Sequence, residues 1–320
     1  HEVADPRFVL YAYLGPEFQE VIRQRTVHGS TVDRILLEEM PNFPLRLPPL
    51  EEQRAIADTL GALDDKIDLN RRMNQTLEAM AQALFRSWFV DFDPVRAKAE
   101  GRQPVGMDVE TAALFPSQFT TSREGEIPLG WERHTLGEFI DIFDSKRIPL
   151  SNREREQRRG PYPYYGAASA MDTVDDFLFD GIYVLVGEDG SVIDNDDHPV
   201  VQYVWGKFWV NNHAHVVQGH SPISSEHIFL ALREANVRPL VTGAVQPKLT
   251  QGNLRQVPFL LGSPSISAKF ATMVAPAFAL MRANDDESRT LSSVRDLLLP
   301  KLLSGELRIK DAEAAVAAAV

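Results

Sequence analysis

Apolar residues recur at alternating spacings of four and three from Leu50 to about Val90. Gly61 is the one glycine in this segment, and Pro48 and Pro49 stand directly before it, where a helix tolerates proline. The spacing predicts a long helix with a heptad seam, about 60 Å in length by helix rise. A second long helix is needed to bury such a stripe. The seam positions are Ile56, Leu60, Leu63, Ile67, Asn70, Asn74, Leu77, Ala81, Leu84 and Trp88.

A second helical pattern starts at Ser263-Pro264, a good N-cap and first-turn pair, and continues to about Leu303. A shift of 214 residues carries the first seam onto the second and Asn70 onto Asn284. A repeat at so long a period indicates a duplicated module and not a solenoid. The shifted positions are Phe270, Val274, Ala277, Met281, Asn284, Ser288, Leu291, Arg295, Leu298 and Leu302.

The second copy also departs from the first. Pro276 and the stretch Asn284-Asp285-Asp286 do not suit an ideal helix, and they predict a kink or an interruption. The approach to each helix repeats as well, since Gly29 falls on Gly243 after the same shift. We therefore expect two related but unequal copies.

Polar residues occupy the middle of both seams, at Asn70, Asn74, Asn284 and Ser288. One interpretation is that they face solvent. The other is that a buried asparagine at a seam position fixes register and partner orientation at some cost in stability. If the two helices form an antiparallel pair, Asn70 and Asn284 lie at comparable depths.

The segment between the helices changes character. Residues 94–126 are mixed and charged and are interpreted as a linker, and Gly130 and Gly137 mark turns around the candidate core residues Trp131 and Leu136. Short strand patterns separated by turn residues then predict a mixed α/β domain built mainly around sheet. The fold class is therefore α+β. The predicted strands are 139–143, 181–187, 200–210, 213–219 and 227–232.

Composition and charge exclude some classes of function. The chain has 320 residues, no cysteine and a formal net charge of −12, with a pI near 5.2. The missing cysteines exclude disulfides and thiol nucleophiles and fit a reducing cytoplasm. We find no membrane-length apolar run and no secretory signal, and we interpret the start at His1 as a missing N-terminus. The acidic balance argues against nucleic acid, unless a local basic patch compensates.

A basic run of this kind lies between Ser145 and Gly160. It is either a solvated loop or a DNA-binding loop. Tyrosines beside it suit phosphate and base contacts or, alternatively, core packing, and asparagine can contact adenine through two hydrogen bonds. If these residues bind DNA, Arg153→Ala or Lys248→Ala weakens binding and its salt dependence. The candidate residues are Lys146, Arg147, Arg153, Arg155, Arg158, Tyr164, Tyr165, Lys207, Asn211, Asn212, Gln246 and Lys248.

A metal-dependent hydrolase is a weaker alternative. His213 and His215 alternate on one strand face, and Asp194, Asp196 and His198 cluster in a turn. The spacing of a second ligand set is uninformative, so we expect no metal site. Phosphate-binding, nucleophile-elbow and dinucleotide motifs are absent from the sequence. A helical adaptor that assembles proteins without contacting DNA is another alternative.

Three stretches carry a family resemblance. The pattern LPPLEEQRAIADTLGALDDKIDLNRRMNQTLEAMAQALFRSWFVDFDPV at 47–95 resembles the central region of type I restriction specificity subunits. GEIPLGWERHTLGEF, YPYYGA and FDGIYVLVGEDGS resemble the opening strands of their target-recognition domains. LLLPKLLSGELRI at 297–309 resembles the end of their distal helix.

The resemblance implies a DNA-reading subunit that carries no active site and no cofactor. In that family it positions, in the cytoplasm, two methyltransferase subunits that use S-adenosylmethionine to methylate adenine. ATP-driven, magnesium-dependent restriction subunits join the complex. Each recognition domain reads one half of an interrupted site on double-stranded DNA, and the helical pair acts as a spacer without contact to a membrane.

The resemblance also implies domain boundaries. The first recognition domain is represented only by its end, which leaves open whether this chain reads both halves of a site. The predicted segments are 1–46, the end of a first recognition domain; 47–93, the central helix; 94–126, a linker; 127–262, a second recognition domain; 263–303, the distal helix; and 304–320, a tail.

Overall fold

The computed structural model describes residues 3–27, 32–122, 125–243 and 245–319. Gly29, the proposed counterpart of Gly243, lies outside these residues. The chain forms two compact units, which we call unit 1 (residues 1–76 with 280–320) and unit 2 (residues 77–279). Both long helices contribute to each unit, and unit 1 consists of two stretches of chain that flank unit 2 in the sequence.

The helices and strands follow in chain order. The helices are α1 (Pro6–Leu14), α2 (Pro16–Arg25), α3 (Leu50–Phe89), α4 (Asp93–Ala99), α5 (Val109–Ala113), α6 (Asn152–Gln157), α7 (Ser225–Leu232), α8 (Gln251–Arg255), α9 (Pro264–Ser304) and α10 (Ile309–Ala319). The strands are β1 (Phe119–Ser122), β2 (Gly125–Pro128), β3 (Glu132–Thr135), β4 (Ile140–Ile142), β5 (Tyr162–Tyr165), β6 (Ala170–Val174), β7 (Phe179–Asp180), β8 (Tyr183–Gly187), β9 (Val201–Val204), β10 (Lys207–Val210), β11 (Ala214–Gly219) and β12 (Pro258–Leu261).

Unit 1 is an antiparallel helix pair with α1 and α10 packed on it. Asp64 of α3 pairs with Arg295 of α9, while Asn74, further along α3, donates to the earlier Met281 carbonyl. The predicted antiparallel pair is thus confirmed. The predicted seam residues Ile56, Leu60, Leu63, Ile67, Leu291 and Leu298 are buried in one core with Phe8, Tyr11, Ala12, Ala57, Leu302 and Ala312.

A buried polar layer interrupts this apolar core. Asn70 is fully buried, and its amide donates to the Asn284 carbonyl at 3.2 Å and to Glu287 at 2.7 Å. Asn284 in turn donates to the Asn74 side chain at 2.8 Å. These contacts favour the buried interpretation of the asparagines, because each amide joins α3 to α9 and a shift in register would separate the partners.

Unit 2 contains two four-stranded sheets, with strand orders β6-β5-β10-β7 and β4-β11-β8-β9. The first includes one parallel pair, β5 with β10, and its other pairs are antiparallel, as are all pairs of the second sheet. Apolar side chains of both sheets form a shared core, which includes Leu185, Val204, Phe208 and Val216. Two-stranded ribbons, β1-β2 and β12-β3, complete the unit.

One predicted strand is wrong. Residues 227–232 lie in the helix α7, which begins after the N-cap Ser224, whose hydroxyl accepts from the His227 amide. Short apolar runs fit a buried helix and a buried strand equally well. The hydroxyl cap and the packing of α7 across β8, β9 and β11 decide for the helix here.

Within unit 2 the end of α3 meets the start of α9 through aromatic side chains. Phe270 lies 5.9 Å from Phe85, 5.7 Å from Trp88 and 5.0 Å from Phe89, measured between ring centroids. Leu84 is only half-buried, whereas Phe85 is buried. Ala81 and Trp88 of the predicted seam stay buried, so the contact face has drifted by only a fraction of a residue and takes in Phe85 in place of Leu84. Such a drift is expected because a straight helix has slightly more than 3.5 residues per turn.

The second long helix is not interrupted. α9 continues through Pro276 and the polar stretch at 284–286, so of the predicted kink or interruption, the interruption is wrong. Proline removes one backbone donor, and the packed apolar face of α9 outweighs that loss. The segment 94–126 contains α4, α5 and β1, and 304–320 contains α10. Under the same shift of 214 residues α4 corresponds to the start of α10, so the duplication extends beyond the long helices.

Candidate nucleic-acid interface

Most of the basic run at 146–159 is already paired with acids. Arg155 lies 3.2 Å from Asp172, Arg158 lies 2.9 Å from Asp175, and Arg159 also contacts Asp172. The Arg155 side chain is only 11% exposed. The run therefore holds α6 against β6, and its net positive charge is smaller than the sequence suggests.

The other members of the run and of its surroundings differ in exposure. Lys146 is exposed with its ammonium 5.1 Å from the centre of the Phe143 ring, and Lys207 is exposed 4.6 Å from the Phe177 ring. Arg153 is exposed on α6. Among the described residues of the predicted set, these three are the exposed cations for which we find no acidic partner, and they suit phosphate contacts.

The two predicted tyrosines lie in the core of unit 2. Tyr164 is 1% exposed, and its hydroxyl accepts from the Leu150 amide at 2.9 Å. Tyr165 is half-buried and lies edge-on to Phe208 at 5.8 Å. Packing explains Tyr164 fully, so the alternative that the sequence left open, a core aromatic, is the one its surroundings favour.

An open cleft with a mixed apolar and polar lining brings other predicted residues together. It has a volume of about 360 Å³, and both Asn211 and Gln246 line it. Asn212 is exposed beside them. The remaining lining residues are Gly166, Ala167, Ala168, Ser169, Met171, Asp189, Gly190, Ser191 and His213. Amide, hydroxyl and imidazole groups around one concave surface can read the edges of bases.

Hydrogen bonds fix the walls of this cleft. The Glu188 amide donates to the His213 carbonyl at 2.8 Å, and the Leu249 amide donates to the Glu188 carbonyl at 2.9 Å. Gln202 donates to the carbonyls of Gly166 and Ala167. Loops from four separate places in the sequence thus meet at one site.

Two side chains shape the cleft directly. Asn211 is buried, and its carbonyl oxygen accepts from the His213 amide at 2.8 Å, so it stabilises its own turn. His213 contacts the Asp189 carboxylate through Nδ1, which leaves Nε2 available to a ligand. Gly243 has φ of +88°, which lets the chain turn towards Gln246.

A charged cluster connects three of the cleft-forming segments, and no spacing pattern in the sequence predicts it. Arg147 donates to Glu188 and to the Ala214 carbonyl, both at 2.7 Å, and lies 3.4 Å from Asp144. His215 donates through Nε2 to the Leu249 carbonyl at 2.8 Å, and its Nδ1 lies 2.6 Å from Asp144. Burial acts to raise the pKa of Asp144, but the contacts with His215, the Val216 amide and Arg147 together outweigh it, and the pKa lies below its ordinary value.

The same cluster has the composition of a metal site. Ligand-type atoms of Asp144, Glu188 and His215 lie within 4.8 Å of one another. The Arg147 guanidinium and the Lys248 ammonium, 3.2 Å from Glu188, already supply positive charge to these carboxylates. The histidines considered as a ligand pair do not share a partner, because His213 contacts Asp189 while His215 contacts Asp144.

Comparison with known proteins identifies the family. The sequence profile described as "Type I restriction modification DNA specificity domain" matches residues 5–79 and 128–264, which is more than half of the chain. The chain belongs to this family. The first match ends in α3, and the second begins at the end of β2 and stops where α9 begins, so the profile matches most of the first long helix but not the second.

Curated relatives agree with this membership. The HindI type I restriction enzyme specificity subunit of Haemophilus influenzae is 26% identical over 94% of this chain and 77% of that protein. The MjaIX specificity subunit of Methanocaldococcus jannaschii is 24% identical over 88% of this chain and 65% of that protein. A type I restriction-modification S subunit from M. genitalium shares the fold, with a TM-score of 0.53 and 18% identity over 94% of this chain and 73% of that one.

The predicted recognition of this family and the predicted fold class are thereby confirmed. The adaptor and the metal-dependent hydrolase are not favoured, since the family is defined by DNA specificity. None of the helices in the described parts of the chain combines the length and the hydropathy that a membrane crossing needs.

Proposed function

We propose that unit 2 reads one half-site of a bipartite sequence on double-stranded DNA, as part of a type I restriction-modification complex in the cytoplasm. Membership of the specificity family carries the proposal. The cleft lined by Asn211, His213 and Gln246 supports it locally, because hydrogen-bonding side chains converge there on an open surface. Lys146, Arg153 and Lys207 supply phosphate contacts that position the duplex.

The chain itself acts without catalysis in this proposal. It binds two methyltransferase subunits, which hold S-adenosylmethionine, and restriction subunits, which use ATP and magnesium; this chain needs no cofactor. The antiparallel pair of α3 and α9 supports a spacer role, because its buried asparagines fix one register between the helices. A rigid pair of this kind sets the distance between the parts that it connects.

Methylome sequencing tests the proposal. The chain is expressed with its methyltransferase subunit in a host that lacks adenine methylation of this type. We expect newly methylated adenines in one short, interrupted motif. Assembly of the complex without any new methylated motif contradicts the proposal.

A second measurement assigns the reading to unit 2. Gln246→Ala removes a cleft side chain that is exposed and placed to contact a base edge. We expect relaxed choice at one motif position, since a good base contact contributes about 1–3 kcal/mol of discrimination. A motif that stays unchanged in this variant would place the reading residues elsewhere in the unit.

A further inference from the structure

The Arg147 side chain is deeply set in unit 2 although its sequence context suggests a DNA contact. It is 12% exposed, and it donates to Glu188 and to the Ala214 carbonyl while it lies beside Asp144. A guanidinium with several partners at once has little capacity left for a phosphate. Its planar set of donors instead suits a fixed junction between carboxylates and carbonyls.

The segments that meet at this junction are the ones that wall the cleft. Glu188 directly precedes Asp189 in the wall, and Ala214 directly follows His213. The Glu188 side chain also accepts from Lys248, which pairs through its backbone with Thr242 and closes the turn that carries Gln246. The Glu188 carboxylate therefore connects two walls of the cleft to the Arg147 guanidinium: the segment that contains Asp189 and the turn that carries Gln246.

His215 adds a third connection between the segments that form the cleft. It is 1% exposed, and a carbonyl oxygen can only accept, so Nε2 carries a proton towards Leu249. Its other nitrogen faces Asp144, whose second oxygen accepts from the Val216 amide at 3.0 Å. The chain after Lys248 is therefore held to β11 and to the residues that follow β4.

We propose that Arg147, together with Glu188, is a positioning residue that sets the geometry of the DNA-reading cleft without touching DNA. The inference rests on the proposed function and deepens it. Contacts that are buried and charge-assisted hold their atoms more closely than solvated ones. Base discrimination needs that precision, because a reading side chain displaced by about 1 Å loses its hydrogen bonds.

The positioning role and a phosphate contact predict opposite results for two conservative variants. Arg147→Lys keeps the charge, so a phosphate contact would largely survive it. The single ammonium nitrogen of a lysine cannot replace the three guanidinium nitrogens, one of which donates to Glu188 and the Ala214 carbonyl while the other two contact Asp144. Glu188→Gln removes a negative charge near the binding face. That change would strengthen binding if Arg147 met a phosphate, but it loosens the cleft if Arg147 is a positioning residue.

Selection from a randomised duplex pool measures the difference. The full chain, in complex with its methyltransferase subunits, is compared with both variants and with Arg238→Lys, a charge-preserving change at an exposed side chain. We expect both variants to lose about tenfold or more in preference for the selected sequence over the random pool. For Arg147→Lys, affinity for the random pool and its slope against salt concentration stay as in the unchanged chain, because the charge is kept and no phosphate contact is lost.

Each outcome decides a different question. If the unchanged chain selects no sequence, the proposed function fails, and the role of Arg147 fails with it. If it selects a sequence and both variants select it equally well, only the positioning role is overturned. A smaller salt slope for Arg147→Ala, with normal selection by Arg147→Lys, would instead make Arg147 a phosphate contact.

Folding is monitored separately. Thermal unfolding of each variant and its affinity for the random pool show whether the fold and the phosphate contacts persist. The double variant Arg147→Lys with Glu188→Gln is expected to lose no more selectivity than either single variant, because both remove the same connection. Independent, additive losses would contradict a shared junction.

Discussion

The same two helices, α3 and α9, pack through different chemistry in the two units. In unit 1 they are joined by amide and carboxylate groups around Asn70, while in unit 2 they are joined by rings around Phe270. Both residues are fully buried. Directional hydrogen bonds define register, whereas burial of large apolar rings contributes most of the stability. The comparison indicates that the α3–α9 pair sets its register in unit 1 and gains most of its packing stability in unit 2.

The largest expected effect tests the aromatic side of this comparison. Phe270→Ala removes a ring that contacts Phe85, Trp88 and Phe89, and it leaves a cavity that the surrounding rings fill only in part. We expect a loss of about 3–5 kcal/mol in the free energy of unfolding. Urea denaturation measures it, with Met273→Ala, a half-exposed position of the same helix, as the control. If Phe270→Ala loses no more stability than Met273→Ala, the stability cannot be assigned to this aromatic cluster.

The second prediction concerns how stability depends on pH through His227, which lies among the same rings of unit 2. Burial lowers its pKa to about 3, so its folded-state pKa lies far below that of the unfolded chain, about 6.5. The unfolded state therefore takes up the proton first as the pH falls. As far as His227 is concerned, the free energy of unfolding therefore has its full value above about pH 6.5. Below that pH it decreases by about 1.4 kcal/mol per pH unit towards pH 3.

His227→Phe supplies the matched variant for this prediction. His227 is fully buried, with its ring 4.7 Å from that of Phe89 and 5.0 Å from that of Phe270, so a phenylalanine ring keeps most of these contacts without a titratable group. We expect urea denaturation at pH 7.0, 6.0 and 5.0 to show a shallower loss of stability for the variant. Equal slopes for the two proteins would mean that another group controls acid sensitivity.

The polar layer around Asn70 is expected to contribute little to the free energy of unfolding, in contrast to the aromatic cluster. Asn70→Leu removes its hydrogen bonds, but Glu287 keeps Lys66 and the Ser288 hydroxyl keeps the Asn284 carbonyl. We expect the free energy of unfolding to change by about 1 kcal/mol or less in either direction, because an apolar side chain replaces a buried polar one. Denaturant unfolding measures this change. A loss as large as that of Phe270→Ala would show that the layer carries stability as well as register.

The smallest expected effect is at the edge of the unit 1 seam. Arg295 pairs with Asp64 at 2.7 Å, and both side chains are about one third exposed. Solvent screens such a pair, so Arg295→Ala is expected to cost less than about 1 kcal/mol, and less again at high salt. Thermal unfolding at low and high ionic strength checks this; a cost that does not change with salt would point to packing of the arginine stem.

Much of the helix pair could be predicted because its information is local. A heptad seam repeats the same kind of residue at fixed spacing, so Leu60, Leu63 and Leu298 were found from spacing alone. The half-residue drift that brings Phe85 and not Leu84 into contact was missed, because it depends on accumulated helix twist. The strand predicted at 227–232 failed for a related reason, since its apolar run fits either secondary structure.

The sequence by itself determined the family, the fold class and the antiparallel helix pair, while the burial of its asparagines was settled by the tertiary structure. Tertiary structure alone decided which charged residues face solvent. Arg155 and Asp172 are distant enough in sequence that no spacing rule pairs them, yet they share one ion pair. Arg147 looked like its neighbours in the basic run but lies inside the unit with Glu188. Partners for buried charges come from loops far apart in the chain, and only the packed fold brings them within hydrogen-bond distance.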